Sequence, residues 1–453
     1  MKLKKIFPPI SLPIYFFGIV IFTGTVLLHS PFSYPATKNV SWLDALFTAT
    51  SATCVTGLAT IDIGTHFSNT GLVIILGLIQ VGGLGIMTFT GLFFYLLRRR
   101  VSLTDRLAIG QSILHDPSFK IGGFLKHLVL WTLFIETTGA VCIYFLDPQG
   151  FPVFSAVFHA VSAFCNAGFS LQPDSLVAWR GNWGINLVFM MLIIIGGIGF
   201  SVIVESHMWV TARMRNTSRN TKVISWYSQV VLKTTLFLII AGGVILFLTE
   251  SFGTHRNIPW SDKILSAFFQ SVTCRTAGFN TLDIYHMTNV SLLFMMILMF
   301  IGGAPGSCAG GIKVTSFRVL VAFVIAELKG RKQAVIGKFA VSEDTVDKTL
   351  LLTVFAVLLL LGAILLLNIT EGANIPHPKT RGLSLEILFE AISAFGTVGL
   401  STGLTPKLTP WGKMIITMLM FIGRLGPMVF LGAIQSYQKE KYYTWPDENL
   451  LIG

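Results

Sequence analysis

The chain has 453 residues, 53% of them hydrophobic and only 12% charged, with 33 Lys+Arg against 21 Asp+Glu and a formal net charge of +12. A mean hydropathy of +0.72 excludes a pair of soluble domains and identifies an integral membrane protein, in contact with lipid over most of its length. Nucleic acid is excluded as a partner, because the basic residues flank alternate apolar runs and are not gathered on one face among aromatics.

In chain order, apolar runs suited to crossing roughly 30 Å of hydrocarbon lie at Ile14–Leu28, Gly71–Leu97, Leu128–Leu146, Ile185–Val204, Thr234–Leu248, Ser291–Gly303, Leu350–Leu367 and Met414–Ala433. They predict eight full spans. Basic clusters alternate with them at Lys2-Leu3-Lys4-Lys5, Arg98-Arg99-Arg100, Arg213/Arg215/Arg219/Lys222, Lys329/Arg331/Lys332 and Lys439/Lys441. Placing every cluster on the cytoplasmic side satisfies the positive-inside rule and leaves both termini cytoplasmic. The basic start before an apolar run also fits a signal peptide, but no small-residue cleavage site follows Leu28, and Pro31 to Lys38 reads as an external loop.

Between the spans one motif is written four times. A glycine closes a small-residue turn at Gly57, Gly168, Gly278 and Gly399, at intervals of 111, 110 and 121 residues, each with a phenylalanine ten positions earlier: Phe47, Phe158, Phe268 and Phe389. Ser51, Ser162 and Ser393 stand six before the glycine. The third repeat has Val272 there and Ser271 one place earlier, which reads as a substitution. The segments leading into the turns, Ser41–Ala52, Val153–Ala163, Ser261–Val272 and Leu383–Ala394, are too short to span as helices, so they enter the membrane and turn back.

The chain accordingly divides into repeats 1–100, 101–222, 223–332 and 333–453, with pore loops at 41–57, 153–168, 261–278 and 383–399. The predicted fold is an all-α polytopic membrane protein: four tandem units of span, re-entrant pore helix and span, in pseudo-fourfold arrangement around one pore.

Non-helical backbone at membrane depth is tolerated only where protein or water satisfies it. Four turns in register meet that condition together if the carbonyls of Val55, Thr56 and Gly57, of Asn166, Ala167 and Gly168, of Thr276, Ala277 and Gly278, and of Thr397, Val398 and Gly399 replace the hydration shell of a monovalent cation. Glycine suits backbone that takes positive φ or crowds an ion.

A second mark falls on the last span of each repeat: Gly82-Gly83-Leu84-Gly85, Gly196-Gly197-Ile198-Gly199, Gly302-Gly303-Ala304-Pro305-Gly306 and Gly423-Arg424-Leu425-Gly426. In the first two it reads as a closely packed helix midpoint. The third continues through Ser307, Cys308, Ala309, Gly310 and Gly311, too many small residues for a regular helix, and predicts an intramembrane loop whose cytoplasmic return is marked by Lys313. The run imitates a phosphate-binding GxxxxGK, but Ile312 intervenes before Lys313 and a membrane span precedes it, so nucleotide binding is not expected.

In the fourth repeat Arg424 takes the place of the second glycine. A mid-span arginine costs roughly 2.5–3.5 kcal/mol or more and so faces protein or water. Two readings stand: a structural arginine satisfied by carbonyls, or a positive charge below the selectivity site that contacts the third-repeat loop and obstructs cation flow.

Other polar positions carry less. Glu136, in mid-span, reads first as a hydrogen bond to a neighbouring helix. Asp44, Ser155 and Glu386, each thirteen before the glycine, read as caps of the re-entrant helices, the two carboxylates also drawing cations to the outer mouth. Cys54, Cys142, Cys165, Cys274 and Cys308 show no metal-ligand spacing and read as free thiols.

With these motifs the chain resembles the Trk/Ktr/HKT superfamily of potassium and sodium translocating proteins over essentially its whole length. Thr273-Cys274-Arg275-Thr276-Ala277-Gly278-Phe279-Asn280-Thr281 looks like the family's third pore loop, and Gly302 to Phe317 like its gating loop. The short N-terminus is most similar to the KtrB type of bacterial Ktr systems. The resemblance implies K+ uptake across the bacterial plasma membrane, with K+ as transported ion, Na+ as a further possibility, Gly57 favouring potassium, and Arg424 with the loop as gate. It implies a homodimer with one pore per subunit. It also implies a cytosolic KtrA-like ring of Rossmann-type nucleotide-binding subunits, meeting Arg98–Lys126, Arg213–Lys222 and the stretch near Lys313–Lys338; any nucleotide is bound by that partner and not by this chain.

Without an ATPase motif the driving force is the membrane potential, worth roughly 2.3 kcal/mol per charge per 100 mV. A Na+- or H+-coupled symporter, with Glu136 or Glu205 as carrier, is the alternative within transport. A multi-pass membrane enzyme is the alternative outside it, and the chain has no HExxH, GxSxG or paired intramembrane aspartates.

Overall fold

The computed structural model describes residues 12–85, 121–214 and 224–426, apart from 252, 254–257, 373–375, 377, 379 and 381. The clusters at 2–5, 98–100 and 439–441, most of Arg213–Lys222, and the span portions 86–97 and 427–433 lie outside the described residues.

The protein is built of helices, and each repeat begins with a long apolar one: α1 Leu12–His29, α4 Ile121–Leu146, α8 Trp226–Ser251 and α12 Glu343–Gly372. All four are long and apolar enough, over at least 18 residues, to cross a membrane. Short helices follow where re-entrant segments were expected: α2 Trp42–Thr53, α5 Val153–Phe164, α9 Trp260–Thr273 and α13 Leu383–Gly396. Each packs against the long helix of its own repeat.

The second helix of the second and third repeats is the principal departure from continuous spans. The described residues give α3 Asn69–Gly83, α6 Trp183–Gly197, α10 Asn289–Phe300 and α14 Pro410–Leu425, the continuation of the first and fourth lying outside them. All four end at or beside the second small-residue mark. The fourth repeat's chain leaves the helix at Gly426, where φ is +80°, and Gly85, Gly199 and Gly306 also have positive φ, a conformation that stops an α-helix at little cost only for glycine. In the second repeat a further helix, α7 Phe200–Met214, departs from α6 at 103° over its first turns. The reading of these glycines as helix midpoints is therefore corrected to helix ends, while close packing holds: a Cβ at Gly82, Gly196 or Gly423 would overlap the carbonyl oxygen of Thr53, Phe164 or Phe395.

Polar caps set where these helices begin. Ser68, Asn182, Thr288 and Thr409 each accept a hydrogen bond from the backbone N–H three residues on, at Gly71, Ile185, Ser291 and Gly412. Two caps are anchored to the preceding long helix: Glu250 accepts from the N–H and hydroxyl of Thr288, and Glu371 from those of Thr409.

The packing order is cyclic. α3 lies on α5, α6 on α9, α10 on α13, and α14 returns to α2, so the second helix of each repeat packs against the re-entrant helix of the next and the last closes on the first. Between the third and fourth repeats, the loop from Ile301 leads into α11 Val314–Leu328 and a small hairpin, β1 Val335–Ile336 with β2 Phe339–Ala340.

Candidate functional site

The four turns share one backbone design. The residue two before each glycine is left-handed, with φ of 56° at Val55, 58° at Asn166, 71° at Thr276 and 50° at Thr397. The glycines follow at 95°, 69°, 83° and 92°. Left-handed valine and threonine are strained by ~1–3 kcal/mol each, and the three such residues, Val55, Thr276 and Thr397, persist only where the surroundings impose them.

The turns also meet. A Cβ at Gly57 would come within 2.5 Å of the Ala167 carbonyl oxygen, at Gly168 within 2.7 Å of that of Ala277, and at Gly278 within 2.6 Å of that of Val398. At Gly399 it would overlap the Thr56 oxygen, which returns to the first repeat. Each glycine thus lies against the next turn, and the carbonyls of Thr56, Ala167, Ala277 and Val398 fall in one ring. The hydroxyls of Thr56, Thr276 and Thr397 are buried there without a hydrogen-bond partner in the protein. The amide of Asn166, oriented to donate, reaches the carbonyls of Ala163 and Ile193 at 3.1 and 3.2 Å.

Hydroxyls of the re-entrant helices hold the turns. Ser51 and Ser393 accept from the N–H of Gly57 and Gly399, both at 3.1 Å, and Ser162 donates to the Phe169 carbonyl at 2.8 Å. In the third repeat Thr273 does this work, donating to Phe279 at 2.6 Å, while Ser271 turns away to the Ile239 carbonyl. The backbone explains the change. The residue before the glycine bonds back five residues in the other turns, as Thr56 does to Ser51, but Ala277 bonds back only four, to Thr273. The third turn is one residue tighter, Phe269 and not Phe268 is the fully buried ring, and the expected substitution is a register shift.

Behind the second and fourth turns the same position, nine before the glycine, fastens the outgoing strand. His159 accepts at Nε2 from the N–H of Leu171 at 3.3 Å, its Nδ1 directed at the Ser155 carbonyl at 2.8 Å. Glu390 accepts from the N–H of Thr402 at 3.1 Å and from the hydroxyls of Ser401 and Thr405 at 2.5 and 2.7 Å. Neither residue was singled out from the sequence; a buried-depth Glu390 in a re-entrant helix was the available signal. Of the expected caps, Ser155 does not cap: its hydroxyl lies 3.2 Å from His159, and Pro152 opens α5. Asp44 does complement its helix, with Ser41 as N-cap, but its carboxylate is paired with Lys413 at 2.8 Å, which offsets its charge at the mouth. Glu386 occupies the first turn of α13.

Against the ring lies the loop from Gly302 to Lys313, expected to be intramembrane. It is pinned at its root by Gly302 N–H to Ile312 O, 2.8 Å, and Val314 N–H to Gly303 O, 3.0 Å. It then caps the ends of its neighbours. The last-turn carbonyls of α6 receive Ala304 N–H at Gly197, 2.9 Å, and Cys308 N–H at Gly196, 3.2 Å, while the Cys308 thiol donates to Gly83 of α3. Gly310 sits against Thr397 and Gly311 against Gly396, directly beneath the fourth turn.

Cationic side chains complete this layer. Arg424, 6% exposed, donates to the carbonyls of Cys308 and Gly82, bridging the loop and the end of α3. Arg275, equally buried, donates to the Gly302 carbonyl at 2.9 Å. The sequence marked its position only as a source of backbone carbonyl, although a charge where the other repeats have Cys54, Cys165 and Gly396 was a visible signal. Lys313, expected at the cytoplasmic return, folds back on the loop and donates to Ala309 at 2.7 Å. Pro305 accepts from the Tyr227 hydroxyl at 3.2 Å, and Gly303 and Gly306 complete the loop's path against α6 and Gly199.

The two candidate carriers have local partners. Glu136 accepts from Gln80 at 3.2 Å and from the Cys165 thiol at 3.7 Å, and Glu205 accepts from Ser225 and Ser228.

Comparison with known proteins places this arrangement. The family described as TrkH, cation transport protein, matches residues 8–438. The chain is 40% identical to the Ktr system potassium uptake protein B of Bacillus subtilis, covering 100% of this chain and 98% of that protein. It is 36% identical to the potassium/sodium uptake protein NtpJ of Enterococcus hirae, over 100% and 99% of the two chains. Among solved structures, the potassium transporter TrkH from Vibrio parahaemolyticus shares the fold, with a TM-score of 0.73 at 20% identity over 95% of this chain and 86% of that one. The alternative of a membrane enzyme is thereby set aside, and the chain belongs to the TrkH family of cation transport proteins.

Proposed function

We propose that this chain carries K+ into a bacterial cell through a pore on the axis of its four repeats, as the membrane subunit of a Ktr-type system. The observation that carries this reading is the closed ring in which Gly57, Gly168, Gly278 and Gly399 each lie against the next turn's carbonyl oxygen. Backbone oxygens held by strained, over-determined turns replace the water around a monovalent cation at little reorganisation cost.

The loop from Gly302 to Lys313 is the gate, and Arg424 is its latch. Helix C-termini carry a partial negative charge, and the ends of α3 and α6 turn theirs toward the layer below the filter. A permeating cation gains from those carbonyls; here Arg424 and the loop N–H groups take them instead. Opening therefore requires the loop to exchange these bonds for others, and a cytosolic KtrA-like ring of nucleotide-binding subunits, acting through α11, is the proposed source of that work. The four repeats as divided above, cytoplasmic termini and a homodimer complete the proposal.

Rubidium uptake tests the reading. Expression in a cell lacking its own potassium uptake restores growth at low K+ and 86Rb+ accumulation. Proteoliposomes with no Na+ or H+ gradient then sustain full flux if transport is not obligatorily coupled. Loss of flux in that condition sinks the channel-like form and favours a carrier role for Glu136.

A further inference from the structure

A groove of about 820 Å3 opens on the outer face of the third repeat, between the start of α8, α11 and the β1–β2 hairpin. It falls within the range of ligand sites, ~300–1,000 Å3; Arg318 and Lys338 belong to the stretch expected to meet the regulatory ring, but that expectation does not account for the apolar floor or for Lys233 inside α8. Its lining contains three basic side chains, Lys233, Arg318 and Lys338, and no acidic one. The floor and walls are apolar and aromatic, with Trp226 fixed to the hairpin by a 3.1 Å hydrogen bond to Ile336 O and set 5.5 Å from the ring of Phe339.

Lys233 gives the groove its meaning. It lies within the membrane-spanning helix α8, seven residues and so about 10 Å beyond Trp226, on an exposed position. Phe237, Ile240 and Val244 continue the same face at helical spacing and are 64%, 48% and 45% exposed. A lysine heading a lipid-facing apolar stripe is costly unless an anion meets it or it reaches the interface. Arg318 and Lys338 converge on the same site from other elements, and the aromatic pair marks the interfacial level where such rings settle.

We propose that this groove binds one anionic phospholipid, its phosphate held by Lys233, Arg318 and Lys338 and an acyl chain laid along Phe237, Ile240 and Val244. Charge complementarity selects this occupant: three cations with no acidic residue in the lining call for an anion, and the apolar stripe beside them calls for an acyl chain. The site bears on the gate through α11: Arg318 lies five residues beyond Lys313, the N-cap of that helix, whose side chain donates to the Ala309 carbonyl of the loop. With the topology proposed above, the groove faces the cytoplasmic leaflet, whose anionic lipids attract basic residues.

The test uses the full chain, purified and reconstituted into vesicles of phosphatidylcholine alone or with phosphatidylglycerol, then re-extracted and assayed for retained lipid by native mass spectrometry. The wild type is expected to keep phosphatidylglycerol in preference to phosphatidylcholine. K233Q/R318Q/K338Q is expected to lose about fivefold in retention per charge removed, roughly a hundredfold for all three. Phosphatidylglycerol is also expected to change rubidium flux in the wild type and not in the triple variant. K338Q alone, on the exposed hairpin, provides a readout should the triple variant fold poorly, with the fivefold loss expected. Equal retention of both lipids by the wild type, unchanged phosphatidylglycerol retention by the variants, or a shift in oligomeric state without lipid loss would each overturn the proposal. Lipid retention is read without transport, so an absence of rubidium flux would count against the functional reading and leave this site standing.

Discussion

The guanidinium of Arg275 donates to the carbonyl of Gly302 at 2.9 Å, joining the third turn of the glycine ring to the first residue of the intramembrane loop. The proposed filter and the proposed gate are thus connected within one repeat by a single side chain. A change at either end is transmitted through a buried, charge-assisted bond.

Replacing Arg275 by Met retains bulk and removes the donor. The Gly302 carbonyl is then unpaired at membrane depth, a cost of about 1–3 kcal/mol. We expect a lower melting temperature in detergent and a raised rubidium leak in proteoliposomes without a regulatory partner. Unchanged leak and melting would show that the bond holds nothing.

Arg424 bridges two carbonyls from different repeats, those of Cys308 and Gly82. Arg424→Ala, or deletion within Gly306–Gly311, is expected to raise unregulated flux several-fold. Arg424→Lys offers one nitrogen instead of a fork, so its flux should fall between wild type and Ala. A fall in flux on Arg424→Ala contradicts the latch.

At Gly278 any side chain would press on the Val398 oxygen and the neighbouring glycines, and φ of +83° disfavours it further. Gly278→Ser is expected to displace the carbonyls on both sides and weaken discrimination of K+ against Na+ by about tenfold, or ~1.4 kcal/mol. Competition of Na+ with rubidium uptake measures it. Unaltered selectivity removes Gly278 from the filter.

Glu390 collects three hydrogen bonds from the strand that leaves the fourth turn, and a bond to a charged group is worth about 1.5–3 kcal/mol. Glu390→Gln places an amide donor among donors. We expect weaker K+ binding by titration calorimetry, with Glu390→Ala weaker still and thermally less stable. The rim has another anchor if both variants bind K+ as the wild type does.

Gly196 and Gly77 provide a contrast in packing. A Cβ at Gly196 would overlap the Phe164 carbonyl, whereas one at Gly77 meets nothing within 4 Å. Gly196→Val should abolish a monodisperse peak on size exclusion, and Gly77→Val should leave it intact. Equal behaviour of the two would refute the close approach of α6 to the second turn.

Much of the site was legible because its chemistry is local. The spacing of Phe47 to Gly57, kept by the buried Phe158 and Phe389 but shortened by one at Phe269 in the tighter third turn, reflects the length of a half-helix plus a turn that must take positive φ, and both are properties of a few consecutive residues. The short loop of small residues after Gly302 was legible for the same reason. What misled was hydropathy. Ile185–Val204 is apolar enough to continue as a straight span, and composition does not register that the helix ends at Gly197 and the chain turns by 103° past Gly199. The polar caps Ser68, Asn182, Thr288 and Thr409 were visible but weak beside the apolar signal.

The sequence by itself determined a membrane protein of repeated units, with a glycine at each turn and a charge at Arg424 that had to be satisfied, since hydropathy, spacing and the cost of a mid-span charge are read residue by residue. Only the tertiary structure decided what satisfies it. Arg424 takes the carbonyl of Gly82, 342 positions away, and α14 closes on α2 across nearly the whole described chain. Such pairings depend on how four similar units pack in a cycle, and each unit's own sequence is compatible with more than one neighbour.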